Sequence, residues 1–82
     1  MTPEDVKNHI EQGIPGSEVT VSGEGCNLSV VVVSDAFEGK TMVAEQKMVY
    51  ATVNDYITSG ELHALTIKAY TQEEWAEESQ QS

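Results

Sequence analysis

The spacing of apolar residues predicts a first helix that buries one face. Val6 and Ile10 are four residues apart and are expected to face the core. The stretch Thr2-Pro3-Glu4-Asp5 is typical of a helix start, because threonine caps, proline suits the first turn and carboxylates complement the helix dipole. Gly13 is expected to end this helix, and Pro15-Gly16 to form a turn.

Two strands are predicted next, joined by a tight turn. Apolar and polar residues alternate from Val19 to Ser22, which indicates a half-buried strand. The second strand is predicted from Leu28 to Val33, and its unbroken valines from Val30 to Val33 indicate that it is buried on both faces and central in its sheet. Because Gly23-Glu24-Gly25 turns the chain between them, the two strands are expected to be antiparallel.

A long helix, a third strand and a short last helix complete the pattern. Thr41 is expected to cap a helix that runs to about Ser59, in which four residues repeat at helical spacing: Val49, Val53, Tyr56 and Ile57. The third strand is predicted from Leu62 to Ala69. Thr71, with Glu74 three residues on, forms a capping box for the last helix. The two internal methionines of the long helix are expected to fill gaps in the core: Met42 and Met48.

This order predicts an α+β fold of αββαβ(α) type with a three-stranded mixed sheet packed by helices. A helix joins the second and third strands, so they are expected to be parallel, with a right-handed crossover. The 82 residues suffice for one domain. We expect a single domain over residues 1–78 and a disordered tail over residues 79–82.

The charge of the chain restricts its partners. Fourteen acidic residues face four lysines and no arginine, which gives a formal net charge of −10. Such a surface repels nucleic-acid backbones and favours basic partners. The longest apolar run is too short to cross a membrane, and the N-terminus is acidic where a secretory signal is basic. With one cysteine and therefore no internal disulfide, the chain is expected to be cytoplasmic.

The predicted topology brings Cys26 and His63 to one rim of the sheet. Cys26 precedes the second strand and His63 opens the third, and parallel neighbours begin at the same edge, about 5 Å apart. A thiolate and an imidazole together suit zinc, copper or an iron–sulfur cluster. Two ligands do not complete a structural zinc site, so they amount to half a site that a partner would complete. The plain alternatives are a hydrogen-bonded rim histidine and a small buried cysteine.

Four segments, in this order and at these spacings, resemble the signature of the BolA-like family and of its IbaG-type branch. They are Phe37-Glu38-Gly39-Lys40-Thr41, Val49-Tyr50, Gly60-Glu61-Leu62-His63-Ala64-Leu65 and Tyr70-Thr71-Gln72-Glu73-Glu74-Trp75. The resemblance covers roughly residues 17 to 76. It implies a BolA fold, which is related to class II KH domains, and an adaptor rather than an enzyme. Consistently, Ser34 beside Asp35 lacks a base that would make it a hydrolase nucleophile.

The resemblance also implies a partner and a cofactor. BolA-like proteins pair with monothiol glutaredoxins and share a bridged 2Fe–2S cluster, ligated on one side by the glutaredoxin cysteine and glutathione. His63 matches the family's ligand histidine, and Cys26 falls in the variable loop that supplies the fourth ligand. Lys40 and Lys68 are candidate contacts to the glutaredoxin–glutathione surface, or else ordinary solvated lysines. The chain alone is expected to be a monomer without cluster.

Two other functions remain open. A KH-like nucleic-acid-binding transcriptional regulator is suggested by Gly13-Ile14-Pro15-Gly16, which spells the G-x-x-G of KH clamps. Acidic neighbours oppose that function, as does the sequence Ala44-Glu45-Gln46-Lys47-Met48 where the family often carries an arginine–histidine–arginine run. The third candidate is a protein-interaction domain that binds no metal.

Overall fold

The computed structural model describes residues 2–24 and 27–80, which form four helices, three strands and a 3-10 turn. The helices are α1 (Pro3–Gly13), α2 (Met42–Thr52), α3 (Asn54–Thr58) and α4 (Gln72–Gln80). The strands are β1 (Glu18–Glu24), β2 (Asn27–Val33) and β3 (Ala64–Tyr70), and the 3-10 turn is Asp35–Phe37.

The three strands form one mixed sheet in the order β1-β2-β3. β1 and β2 are antiparallel, with Glu18 opposite Val33 and Glu24 opposite Asn27. β2 and β3 are parallel, and their register begins where Asn27 pairs with Ala64. The predicted mixed sheet and the central place of the second strand are therefore confirmed.

Helices α1 and α2 cover one face of the sheet. The apolar side chains on this face are opposite one another on neighbouring strands, and all of them belong to the apolar core or pack against it. They are Val19, Val21, Leu28, Val30, Val32, Leu65, Ile67 and Ala69. α1 contributes Val6 and Ile10, and α2 contributes Val49, all without exposed surface. Burying this apolar face is the main source of stability that the fold has available.

The opposite face of the sheet is largely polar. Thr20, Ser22, Ser29 and Thr66 all lie on it and are exposed. On the same face Val31 is half-buried, and only Val33, at the end of β2, is buried. The prediction that β2 is buried on both faces therefore holds at Val33 and in part at Val31, but it is wrong for the first half of the strand, where Asn27 and Ser29 are exposed.

The long helix predicted to run to Ser59 is broken at Val53. That residue has φ −117° and ψ 15°, outside the helical region, and separates α2 from α3. The Thr52 hydroxyl donates a 2.6 Å hydrogen bond to the Val49 carbonyl, which competes with regular helix bonding. Threonine, valine and asparagine follow one another here, and all three are weak helix formers. Val53 nevertheless stays fully buried, so the break keeps it in the core.

Both methionine predictions concern α2, and they have opposite outcomes. Met48 is partly buried against the core, as predicted, whereas Met42 is 72% exposed. A helical side chain covers the turn that precedes it. Met42 is the first residue of α2, so no helical turn precedes it for the side chain to cover.

The predicted helix starts are confirmed at both ends of the chain. Thr2 and Asp5 form a capping box for α1. Thr71 and Glu74 form one for α4, with hydrogen bonds of 2.9 and 3.2 Å. The Trp75 ring lies 5.3 Å from that of Tyr70, centroid to centroid. α4 continues to Gln80, so two of the four residues expected in a tail are helical, and residues 81–82 lie outside the described part.

Close contact between α1 and α2 leads to a stability prediction at Gly13. A Cβ placed on Gly13 would collide with the Thr52 Cγ2 methyl group. We expect Gly13→Ala to lower the free energy of unfolding by about 1–3 kcal/mol, a typical overpacking cost, measured by urea denaturation. Helix propensity alone predicts the opposite sign.

The second-site control for this prediction is Thr52→Ser. It removes the obstructing methyl group and keeps the hydroxyl that bonds to Val49. Gly13→Ala combined with Thr52→Ser should regain most of the lost stability. A stabilised Gly13→Ala protein, or no recovery in the double variant, would contradict the packing argument.

Candidate functional site

His63 is an exposed residue on a well-anchored stretch of backbone. It immediately precedes β3, between Leu62 and the strand residue Leu65, which are both buried. The Leu62 N–H donates a 3.1 Å hydrogen bond to the carbonyl of Tyr56, which ties this segment to α3. The backbone is therefore held in place while the imidazole remains accessible to a partner.

The sheet register places the start of β2 beside His63. Asn27, the first residue of β2, pairs with Ala64 of β3, which is the residue after His63. On the opposite side of β2, Asn27 pairs with Glu24 of β1. The connection between β1 and β2 therefore begins and ends at the sheet edge that carries His63. Cys26 lies outside the described residues, so its predicted approach to His63 remains a prediction. The parallel pairing on which that prediction depends is confirmed.

The histidine lines a small concavity of about 280 Å³. The concavity is formed by Tyr50, Ile57, Leu62, His63, Ala64, Leu65 and Thr66. The Tyr50 hydroxyl donates a 3.1 Å hydrogen bond to the Leu65 carbonyl, which joins α2 to β3 beside the histidine. The arrangement places an exposed imidazole beside the side chains of Tyr50 and Ile57.

Sequence reasoning missed the contribution of Ile57 to this surface. The helical spacing assigned Ile57 to the buried face of one long helix, but its side chain is 37% exposed beside His63. The break at Val53 redirects α3, and that break is the reason for the error. The sequence signal was the run Thr52-Val53-Asn54, whose residues are weak helix formers.

The described residues do not hold a metal ion by themselves. Across residues 2–24 and 27–80, no three histidine, cysteine, aspartate or glutamate side chains are grouped so that they could bind one. A metal or cluster at His63 therefore needs ligands from elsewhere, such as Cys26, a small thiol or another protein.

The two predicted partner-binding lysines lie away from the His63 edge. Lys68 is five residues further along β3, about 16 Å from His63 in an extended strand, and is paired with Val31. Lys40 follows the 3-10 turn at the other end of β2, where its N–H donates to the Phe37 carbonyl at 3.0 Å. The structure does not bring either lysine together with the histidine.

The second histidine, His9, lies on α1 and contacts α3. Its Nδ1 is 3.0 Å from the Asp5 carbonyl oxygen, and its ring centroid is 4.8 Å from that of Tyr56. Burial raises the pKa of Tyr56, as do the nearby acidic groups, so this phenol stays protonated over a wide range of pH. His9 is exposed as predicted, but its helix face is not merely solvated, since it packs on Tyr56.

No helix within the described ranges is both long and apolar enough to span a membrane. This finding agrees with the short apolar runs of the sequence.

Comparisons with known proteins agree with this architecture. The family model described as BolA-like protein matches residues 5–74. A protein from the rpoN-murA intergenic region of Acinetobacter guillouiae is 43% identical over 79 residues, covering 96% of this chain and 95% of that protein. The acid stress protein IbaG of Escherichia coli strain K12 is 36% identical over 76 residues, covering 93% of this chain and 90% of that protein.

A solved structure supports the same assignment. The structure of a bolA protein homologue from Coxiella burnetii superposes with a TM-score of 0.82 at 34% identity, covering 93% of this chain and 97% of that one. The predicted BolA fold is thus confirmed, as is the resemblance on which it rested. This chain belongs to the BolA-like protein family.

Proposed function

We propose that this protein is a non-enzymatic adaptor that pairs with a monothiol glutaredoxin and shares a 2Fe–2S cluster with it. The observation that carries the proposal is the position of His63, an exposed imidazole on anchored backbone at the sheet edge, in a concavity that Tyr50 and Ile57 also line. Residues 2–24 and 27–80 do not group three potential metal-binding side chains, so a metal group at His63 would fit one that two proteins hold between them.

The donor set fits a shared cluster better than a resident metal. His63 would be one ligand, and Cys26, next to the start of β2, is proposed as the second from this chain. The glutaredoxin cysteine and glutathione would ligate the other side. A histidine ligand raises the reduction potential of a 2Fe–2S cluster relative to all-cysteine ligation, which suits redox sensing or cluster transfer.

Tyr50 and Ile57 are proposed as apolar contacts to the glutaredoxin. Their side chains are 39% and 37% exposed and line the concavity with His63. Apolar residues beside a cluster exclude water when a partner covers them, and this exclusion protects the cluster. Lys40 and Lys68 remain proposed contacts to acidic groups of the partner or of glutathione, at some distance from the cluster.

The proposed setting is the cytoplasm, where glutathione is abundant and thiols stay reduced. The chain has a single cysteine, and that cysteine is one of the proposed ligands. The same protein without its partner is proposed to carry no cluster, because it would supply two ligands at most.

The alternative of a KH-like nucleic-acid regulator has weaker support. Ile14, the second residue of the apparent G-x-x-G motif, is buried in the core, and the segment joins a helix to a strand. Glu18 follows at the exposed start of β1. A KH clamp requires an accessible loop beside basic residues, whereas the chain as a whole carries −10.

The ligand role of His63 is tested by His63→Ala. The variant should fold normally, because the side chain is exposed, and should still meet the glutaredoxin through its apolar contacts. The mixed complex should lose its cluster about tenfold faster or more, with an altered visible circular dichroism spectrum, since one coordination bond is gone.

The matched control is His9→Ala, which removes the other histidine of the chain. This variant loses the contact to Tyr56 and should leave the spectrum of the complex unchanged. A His63→Ala complex with the spectrum and cluster lifetime of the unmodified protein would show that His63 is not a ligand.

Cys26→Ser should have a milder effect than His63→Ala. The position lies in a connection between strands, where water or another side chain is able to replace the thiolate. We expect faster cluster loss than in the unmodified complex but slower loss than with His63→Ala, measured by decay of the visible absorbance. Equal loss in the two variants would make Cys26 as important as His63, and no loss at all would exclude it as a ligand.

The apolar contact is tested by Ile57→Ser. We expect calorimetry to show that the dissociation constant of the apo heterodimer rises about 5- to 30-fold. This range corresponds to an interface side chain whose removal costs about 1–2 kcal/mol of binding free energy. Val43→Ser is the matched control, because Val43 is also exposed but lies far from the concavity. If both substitutions weaken binding equally, the concavity is not the glutaredoxin contact.

A further inference from the structure

The two most exposed large apolar side chains of the described ranges are neighbours. Met42 is 72% exposed and Val43 is 62% exposed, and both lie in the first turn of α2. Neither lines the concavity at His63. The proposed cluster site therefore leaves this apolar pair without a function.

Two concavities meet at Met42 and Glu45. One, of about 210 Å³, runs beside the second half of β3, where Ile67, Ala69 and Tyr70 line it. The other, of about 470 Å³, lies towards α4 and the 3-10 turn. We refer to the two concavities together with Val43 as the α2 groove. The first concavity has a largely apolar lining, whereas the lining of the second is largely polar.

The second concavity of the α2 groove carries an excess of negative charge. A single lysine, Lys40, lines this concavity. The four carboxylates that line it are those of Glu38, Glu45, Glu73 and Glu74. The first concavity adds Lys68. Burial raises the pKa of Glu45, and so does repulsion from Glu74. A cation between these two carboxylates would relieve that repulsion. The negative potential of the groove therefore favours a positively charged ligand.

We propose that the α2 groove binds a basic amphipathic segment of another protein. Apolar side chains of the segment would pack on Met42 and against β3, and its lysines or arginines would meet the carboxylates of Glu45 and Glu74. Methionine suits such a surface because its flexible side chain adapts to differently shaped partners. The combination of apolar anchors with an oppositely charged rim is the usual composition of a helix-binding groove.

Charge decides between the possible occupants. A second copy of this chain would bring another −10 to the same place, and anionic lipid or nucleic acid would be repelled in the same way. A basic segment is attracted by both the local rim and the whole molecule. The groove adjoins Ile67 to Tyr70, whereas the apolar part of the proposed glutaredoxin contact adjoins His63 to Thr66, so these apolar parts lie along opposite halves of β3. The two surfaces share only the proposed peripheral contacts Lys40 and Lys68.

The proposal is tested by titrating the ¹⁵N-labelled protein with a synthetic amphipathic peptide. The peptide has 14 residues of leucine and lysine at helical spacing, and its comparison peptide has glutamate in place of lysine. With the lysine peptide, the largest amide shifts are expected at Met42, Val43, Glu45, Ile67 and Tyr70, and none around His63. The glutamate peptide should not bind.

A pair of double variants separates local recognition from overall charge. Glu45→Gln with Glu74→Gln changes the net charge from −10 to −8 and keeps the α4 cap, since glutamine also serves in a capping box. Glu4→Gln with Glu24→Gln changes the charge equally, at exposed positions outside the groove. Affinity should fall at least about fivefold in the first variant and much less in the second.

The apolar part of the proposal is tested by Met42→Ser, which should lower the affinity for the lysine peptide about fivefold. Ile57→Ser should leave that affinity unchanged. Three results would overturn the proposal. These are equal losses in the two double variants, shifts spread over every acidic surface, and self-association of the protein alone that Met42→Ser abolishes. The last result would assign the groove to a second copy of the chain. None of the three depends on cluster binding, so the proposal stands or falls separately from the glutaredoxin pairing.

Discussion

The parallel pairing of β2 with β3 is the constraint on which the rest of this structure depends. Leu28 and Leu65 are paired in the core, and the next pairs along the same face are also apolar. A shift by one residue would move every one of these side chains to the polar face, so the register is strongly specified. The same register decides which end of the sheet receives His63 and which receives Tyr70 and α4.

Sequence alone was sufficient for the features that local chemistry determines. A cap at Thr2, a capping box at Thr71, the tight first connection and the helical second connection predict the order of elements and the mixed sheet. The position of His63 at the start of the third strand follows from the same pattern. These features need only residue type and spacing, because each involves groups within a few positions of one another or a simple topological rule.

The sequence could not predict what depends on packing between distant segments. One regular helix and two helices with a break at Val53 have nearly the same apolar pattern, and the choice between them is made by the core that Val53 enters. The break exposes Ile57 beside His63, and so creates half of the apolar contact at the site. The exposure of Met42 likewise depends on where α2 begins relative to β3 and α4, which spacing within the helix does not encode.

Helix α2 connects the two surfaces, since its first turn borders the α2 groove and Tyr50 borders the His63 concavity. Met42 and Tyr50 are eight residues apart, about 12 Å along a helix. A signal between the surfaces would require α2 to move as a body, but Val49 is fully buried and Thr52 lies against Gly13 of α1. Close-packed contacts of this kind resist small displacements. The geometry therefore favours two proposed binding surfaces whose apolar parts are occupied independently, so that a protein held at the α2 groove would be brought to the proposed cluster site by proximity alone.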